Sequence, residues 1–236
     1  MKTVLHLADS RGHVDFGWLQ SYHTFSFGSY HNPERIHFGA LRVLNDDTVA
    51  PGRGFATHAH QNMEIISIPL EGDLEHKDSL GNQTLIHQGD VQVMSAGTGV
   101  RHSEYNKNRD RPVKFLQIWL IPNQQNVAPR YGQITLKASA MHNRLAQILS
   151  PKPDDDGVWV HQRAWFHLGN LDAGLRLPYT WKSPQNGLYL FVIRGRVQVG
   201  EQVLEQRDGM GIWETEQIDI TAQTAAYILL MEVPMG

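Results

Sequence analysis

Two histidines, His58 and His60, stand one residue apart in the stretch FATHAHQNMEIISIPLEG, at the start of an apolar run. In an extended strand successive side chains point to opposite faces, so the two imidazoles share a face, about 6 to 7 Å apart along the backbone. Imidazoles placed in this way can bind one metal ion. An isolated HxH pair is also a common polar feature of a strand edge, so this spacing alone does not establish a metal site.

A second pair of potential ligands, His102 and Glu104, follows in the stretch MSAGTGVRHSEYN and again shares one face of an extended segment. Three imidazoles and a carboxylate form a donor set suited to Fe(II), Mn, Ni, Cu(II) or Zn. The chain has no cysteine, which excludes thiolate ligands, disulfides and a thiol nucleophile. Burying these four groups without a metal would cost several kcal/mol, so together the two pairs favour a metal site over a polar barrel mouth.

Glu64 is an alternative to Glu104 as the fourth ligand. It lies in register with His58 and His60 if their strand continues without interruption. The spacing alone does not decide between the two carboxylates. We therefore keep Glu64 as an alternative ligand or as a group beside the ligands.

The segments around these residues predict an all-β fold. Short apolar stretches such as EIISIPL, VQVMSA and KFLQIWLI, and later GLYLFVI and AAYILLMEV, alternate with Gly, Asn and Asp turn signals. A spacing of about 8 to 12 residues between such turns is typical of β-sandwiches and barrels. Helices should be few and short, with Arg144 to Ile148 and the turn from Gly17 to Gln20 as the best candidates.

The two halves of the chain share a weak internal repeat. The segment from Leu188 to Glu214 follows the strand and turn plan of Glu64 to Gly97. A repeat this long indicates duplicated domains, and the proline-rich stretch between the halves is the natural connector. We predict an N-terminal metal-binding domain at residues 1–132 and a C-terminal domain at residues 133–236.

The repeat also predicts which half binds the metal. Gly195 falls 123 residues after Gly72, and the same shift carries His58 and His60 onto Trp181 and Ser183. A tryptophan and a serine do not bind a metal as a histidine pair does. The metal site should therefore belong to the first domain alone.

Composition limits the classes of partner. The net charge of −3 provides no broad positive field for nucleic acid. No apolar stretch approaches the length of a membrane span, and the opening MKTVLHLADSRG is too short for the core of a signal peptide. We expect a cytoplasmic protein that binds neither membranes nor nucleic acid.

Two longer motifs resemble those of the cupin superfamily: GxxxxxHxHxxxE beginning at Gly52, and GxxxxxxxGxxxxHxxxN from Gly89 to Asn106. The first motif has one residue more than usual before the glycine that follows it, and Ser95 stands where a proline is usual. With these departures, the stretches GWLQSYHTFSFGSYHNP and LRVLNDDTVAPGRGFATHAHQNMEII resemble the pirin family. The match covers nearly all of residues 11–122, whereas the second half matches only in its strand plan.

The pirin resemblance implies two tandem cupin-type β-barrels, a bicupin, with a metal only in the first barrel. It implies His58, His60, His102 and Glu104 as ligands, which favours Glu104 over Glu64. It also implies one divalent transition metal, with Fe(II) expected and Ni, Mn, Co, Cu or Zn as alternatives.

The resemblance further implies quercetin 2,3-dioxygenase activity. Dioxygen would open the central ring of quercetin or a similar flavonol with release of carbon monoxide, and Glu104, or else Glu64, would accept the proton of the flavonol 3-hydroxyl. A planar phenol requires an apolar slot. Its candidate residues are Phe25, Phe27, Phe38, Phe55, Met63 and Met94.

A function of another class is a regulatory or protein-binding module without turnover of its own. In that case the metal occupancy or oxidation state would change a surface that a partner protein recognises. The sequence does not identify such a partner.

Overall fold

The computed structural model describes all residues, 1–236, and consists almost entirely of β-strands. The strands of the first half and of the connector are β1 (Lys2–His6), β2 (Gly12–Asp15), β3 (Leu19–His23), β4 (Leu41–Val49), β5 (Gly54–His60), β6 (Glu64–Glu71), β7 (Leu74–Asp78), β8 (Gln83–Ile86), β9 (Asp90–Ser95), β10 (Val100–Asn106), β11 (Val113–Leu120) and β12 (Arg130–Thr135). Those of the second half are β13 (Leu145–Ser150), β14 (Val158–Trp159), β15 (Trp165–Leu171), β16 (Arg176–Thr180), β17 (Asn186–Arg194), β18 (Val197–Val199), β19 (Gln202–Leu204), β20 (Gly209–Trp213), β21 (Gln217–Ala222) and β22 (Ala226–Pro234).

The strands form two similar units, each with one seven-stranded and one four-stranded sheet. In the first unit the sheets have the orders β12-β9-β6-β11-β4-β3-β2 and β5-β10-β7-β8. In the second unit they have the orders β1-β20-β17-β22-β15-β13-β14 and β16-β21-β18-β19. The prediction of an all-β chain with two tandem cupin-type units is confirmed.

The glycines that anchored the sequence repeat occupy the same turn in both units. Gly72 and Gly195 have φ angles of 75° and 84°, in the left-handed region. A Cβ on Gly195 would lie 2.2 Å from the carbonyl oxygen of Ala225, and one on Gly72 would lie 3.0 Å from that of Pro112. Only glycine satisfies both the backbone conformation and the close approach of the neighbouring strand.

The two units exchange edge strands. β1 pairs with β20 of the second unit, and β12 pairs with β9 of the first. The domain boundary predicted between residues 132 and 133 therefore falls inside β12, and residues 2–6 complete the sheet of the second domain rather than the first. Each segment covers backbone groups that would otherwise form an open sheet edge.

The segment predicted as a helix, Arg144 to Ile148, is a strand. From Leu145 onward it forms β13, which pairs with β15 along its length. Its short helical pattern is overridden by backbone pairing to a distant strand. The helical residues are a 3₁₀ turn at Ala8–Ser10 and α1 (Ala138–Met141). Neither element has the length and apolar character that crossing a membrane requires.

The largest apolar core lies between the two seven-stranded sheets and joins the two units. It includes Ile66 and Ile68 of β6 together with Phe166 and Leu229 of the second unit. Inside the second barrel 17 buried apolar residues form one cluster, whereas the first barrel holds separate clusters of six and four. The interior of the first barrel is therefore partly polar, and the candidate site lies there.

Candidate metal centre

Three histidines of the first barrel converge on one point. His102 of β10 lies directly opposite His58 of β5, and Val100 lies opposite His60. The Nε2 atoms of His58 and His102 are 3.1 Å apart, and one ring nitrogen from each of the three histidines lies within 4.8 Å of the other two. Two nitrogens held about 2.1 Å from one metal at a right angle would be about 3.0 Å apart. This geometry fits one transition-metal ion bound by three imidazoles.

The imidazoles are prepared for metal binding by their surroundings. Nδ1 of His58 lies 2.8 Å from the carbonyl oxygen of Ala56, so it carries the proton and leaves Nε2 with a free lone pair. Nε2 of His60 is buried without a hydrogen-bond partner. Burial lowers the pKa of His60 to about 4 and that of His102 to about 3, with a further contribution from neighbouring histidines. Neutral imidazole is the form that binds metals.

A fourth histidine, His76 of β7, lies beside the centre. Its ring centroid is 5.4 Å from that of His102, and its Nε2 lies 2.9 Å from Oδ2 of Asp78. His76 is not among the ligands predicted from the sequence, because no second histidine stands near it on its strand. The alternation of Leu74, His76 and Asp78 on one face was the available signal.

Glu104 is held in the wall of the same interior. Its Oε1 accepts a hydrogen bond of 3.0 Å from Ser67 Oγ, and its Oε2 accepts one of 2.7 Å from Gln117 Nε2. The side chain is buried and lines one cavity with His58 and His60. Its carboxylate is not among the donor atoms that lie within 4.8 Å of one another.

Glu64 lies on the opposite side of the sheet. β5 ends at His60, and Asn62 adopts a left-handed φ of 49°, so the strand does not continue unbroken to Glu64 as the register prediction required. On β6 Ser67 faces Glu104, whereas Ile66, which shares the face of Glu64, packs in the core between the two units. The structure therefore does not bring Glu64 to the histidines.

The carboxylate of Glu64 has partners of its own. Its Oε2 accepts a hydrogen bond of 2.6 Å from Ser95 Oγ. Burial raises the pKa of Glu64 to about 7, while Ser95, the charge of Arg130 and the backbone of His161 in the second unit oppose that rise. Glu64 thus belongs to the contact between the domains.

A cavity of about 510 Å³ opens beside the three histidines. Of the residues predicted to form the substrate slot, Phe27 and Phe55 line it. Phe25 and Phe38 lie instead in the core between the units, and Met63 and Met94 belong to a small apolar cluster with Ile65 and Val100. The cavity has further aromatic walls that sequence analysis did not select: Phe16, Trp18 and Trp119.

The aromatic walls are packed edge to face. Trp18 and Phe55 have ring centroids 5.6 Å apart, and Phe27 and Trp119 have centroids 5.2 Å apart. Trp119 also contacts His60, at 5.0 Å between centroids. A flat apolar ligand can therefore lie against rigid aromatic faces beside the metal centre.

The second barrel has no equivalent centre. Trp181 donates its indole N–H to the carbonyl oxygen of Asn186, and the backbone N–H of Ser183 donates to the buried carboxylate of Glu232. The three histidines of the first barrel are the one group of histidine, aspartate or glutamate side chains with metal-binding geometry.

Two family models match the chain. The model described as Pirin matches residues 4–120, and the model described as Quercetinase C-terminal cupin domain matches residues 147–233. The quercetin 2,3-dioxygenase of Escherichia coli (strain K12) is 37% identical over 234 residues, which is 98% of this chain and 98% of that protein. A pirin-like protein of Caulobacter vibrioides is 38% identical and covers 95% of this chain and 96% of its own length.

Solved structures agree with the sequence relatives. The crystal structure of the bacterial pirin YhhW of Escherichia coli in complex with nickel(II) has a TM-score of 0.94 and 36% identity, and the alignment covers 100% of both chains. A quercetin 2,3-dioxygenase of Acinetobacter baumannii shares the fold with a TM-score of 0.79 at 21% identity, over 98% of this chain and 86% of that one.

Proposed function

Since this chain belongs to the pirin family, we propose that it is a metal-dependent dioxygenase that opens the central ring of quercetin or a similar flavonol. In this reaction both oxygen atoms of dioxygen are added to the substrate, and one ring carbon leaves as carbon monoxide. One observation carries the proposal: three imidazoles converge, and two of them, those of His58 and His60, line a cavity of about 510 Å³ with aromatic walls. A planar phenol and dioxygen would meet at that point.

We assign the metal site to His58, His60 and His102, with Glu104 beside them as the fourth ligand. Fe(II) is the proposed metal, and Ni, Mn, Co, Cu or Zn would suit the same donor set. The bacterial pirin solved in complex with nickel(II), together with the three converging imidazoles of this chain, supports a single transition-metal ion. When bound, the metal supplies a Lewis acid that favours the deprotonated flavonol 3-hydroxyl.

The side chains of the chain itself perform three tasks in this proposal. Glu104, oriented by Ser67 and Gln117, accepts the proton of the 3-hydroxyl through its carboxylate. Phe27 and Trp119 fix the plane of the substrate and exclude water from it. We do not assign the proton to Glu64, because its side chain faces the second domain.

The test is aerobic turnover by protein loaded separately with iron, nickel, manganese, cobalt or copper. We expect loss of the visible absorbance of quercetin together with release of carbon monoxide and consumption of dioxygen. The absence of turnover with every metal would overturn the dioxygenase proposal. Stoichiometric metal binding without turnover would favour the regulatory module instead.

A further inference from the structure

The cavity beside the metal centre has one polar wall, on strands β3 and β4. In the register of these strands Ser21 lies opposite Asp47, and His23 lies opposite Asn45. All four side chains line the cavity. We call Ser21, His23, Asn45 and Asp47 the polar wall, and it contrasts with the aromatic side chains that form much of the rest of the cavity.

Three members of the polar wall carry a hydrogen-bonding atom that has no partner within the protein. These atoms are Nδ1 of His23, Oδ1 of Asn45 and Oδ1 of Asp47. The three residues are 3%, 2% and 2% exposed. Buried polar atoms are almost always hydrogen-bonded in native proteins, so these three atoms should bond to water or to a ligand that enters the cavity.

The polar wall combines hydrogen-bond donors and acceptors. Burial lowers the pKa of His23 to about 4, so its imidazole is neutral and can donate or accept a hydrogen bond. Asn45 supplies an amide that both donates and accepts, and Ser21 supplies a hydroxyl. A wall of this kind suits hydroxyl groups, which also donate and accept.

The polar wall is continuous with the metal centre. Asn45 lies opposite Gln117 in the pairing of β4 with β11, and Gln117 donates its amide hydrogen to Glu104. Paired side chains of this kind lie about 5 Å apart at Cβ. Asn45 is therefore one side chain removed from Glu104, and a ligand in the cavity can meet both the histidines His58 and His60 and the polar wall.

We propose that the polar wall is a subsite for phenolic hydroxyl groups on the ring of the ligand remote from the metal. The inference rests on the proposed function, since it takes the metal-bound edge of the ligand to be that of a flavonol. It adds a preference among substrates: flavonols whose pendant phenyl ring carries hydroxyl groups should bind more tightly than those whose ring carries none.

The experiment measures binding rather than turnover. Metal-loaded protein without oxygen is titrated with three flavonols that carry two, one or no hydroxyl groups on the pendant ring, and quenching of the cavity tryptophans Trp18 and Trp119 reports binding. We expect each removed hydroxyl to weaken binding about 3- to 10-fold, as for one hydrogen bond. Equal binding of the three flavonols, or binding of none, would overturn the subsite.

Substitutions in the polar wall test whether its side chains produce the preference for hydroxylated flavonols. Asn45→Leu should abolish the preference, so that the three flavonols bind that variant equally, and the conservative Asp47→Asn should retain part of the preference. Thr48→Val, on the same strand but on its other face, is the matched control and should behave as wild type. A full preference retained in Asn45→Leu and Asp47→Asn would overturn the assignment.

The two proposals fail in different ways. If hydroxyl-dependent binding is observed and no metal supports turnover, the dioxygenase proposal fails and the subsite stands. If turnover is observed and the three flavonols bind equally, the subsite fails and the dioxygenase proposal stands.

Discussion

His58 and His102 lie directly opposite each other on neighbouring antiparallel strands, with their Nε2 atoms 3.1 Å apart. This contact joins two residues that are 44 positions apart in sequence. The register of β5 against β10 therefore brings together the histidines of the candidate metal centre, and a slip of one residue would turn one of the two imidazoles to the opposite face.

Removing any one imidazole should remove the metal. We expect His58→Ala, His60→Ala and His102→Ala each to contain little metal after purification, because two imidazoles and Glu104 bind a divalent ion less tightly than the full set of four ligands. Elemental analysis of metal per chain measures this effect. His31→Ala, at an exposed position, is the control and should retain full occupancy. Unchanged metal content in His58→Ala would contradict the site.

The two buried glutamates should respond differently to the same substitution. Glu104→Gln keeps the side-chain shape but loses the proton acceptor and the charge of the proposed fourth ligand, so we expect kcat to fall about 100-fold or more. Glu64→Gln should leave kcat and metal content close to wild type, because its side chain faces the second domain. Oxygen-uptake kinetics measure kcat, and elemental analysis measures the metal content of both variants. An equal loss of kcat in both variants would refute the separate roles.

The turn glycines of the repeat should be sensitive to alanine. A Cβ on Gly195 meets the carbonyl oxygen of Ala225 at 2.2 Å, and the residue has a φ of +84°. We expect Gly195→Ala to lower the free energy of unfolding by about 3 kcal/mol or more. Gly200→Ala has a similar φ, of +59°, but open space around it, so about 1 kcal/mol is expected there. Urea denaturation measures the free energy of unfolding of both variants. Equal losses in the two variants would show that the close contact with Ala225 does not contribute to the cost of Gly195→Ala.

The N-terminal strand should protect the second domain rather than the first. Deleting residues 2–6 leaves the outer edge of β20 without its partner and removes the contact between His6 and Tyr189. Hydrogen exchange should become faster in β20 of the deletion variant. β9 is the internal control, because β12 still covers it. Faster hydrogen exchange confined to β9 would contradict the pairing of β1 with the second unit.

Stability should decline in mild acid, in part because of His167. Burial, and secondarily the charge of Lys182, lowers the pKa of its imidazole from 6.5 to about 4. Between these values the unfolded chain binds a proton that the folded chain does not, so this contribution to stability is lost as the pH falls. Between pH 7.5 and pH 5 the free energy of unfolding should therefore fall by about 2 kcal/mol less in His167→Gln than in wild type.

Urea denaturation of wild type and His167→Gln at both pH values measures this difference. Asp47 and Glu64 have raised pKa values, so their contributions to stability increase as the pH falls, opposite to that of His167. Both carboxyls are present in both proteins, so the difference between the two proteins reports His167. The exposed His31→Gln is the control and should follow the wild-type curve. The same pH dependence in His167→Gln and wild type would contradict the prediction.

Much of the site was accessible from spacing. The two i, i+2 pairs placed His58 with His60 and His102 with Glu104 on single strand faces, and the repeat indicated that the second half lacks the pair. Only part of the substrate slot could be predicted, because the packing of the sheets decides whether an aromatic side chain lines a cavity or fills a core. Phe25, Phe27 and Phe38 also lie outside the strands, where alternation gives no face. Phe27 and Phe55 line the cavity, whereas Phe25 and Phe38 lie in the core between the two units.

The sequence by itself determined the all-β class, the duplication and the faces of the histidine pairs, because side-chain alternation and turn chemistry are local properties of a strand. The tertiary structure alone decided that Glu64 faces the second domain, that β1 and β12 exchange sheets, and that a polar wall of β3 and β4 adjoins the metal centre. These outcomes depend on pairing between strands far apart in sequence, and the alternation within one strand does not specify its neighbours.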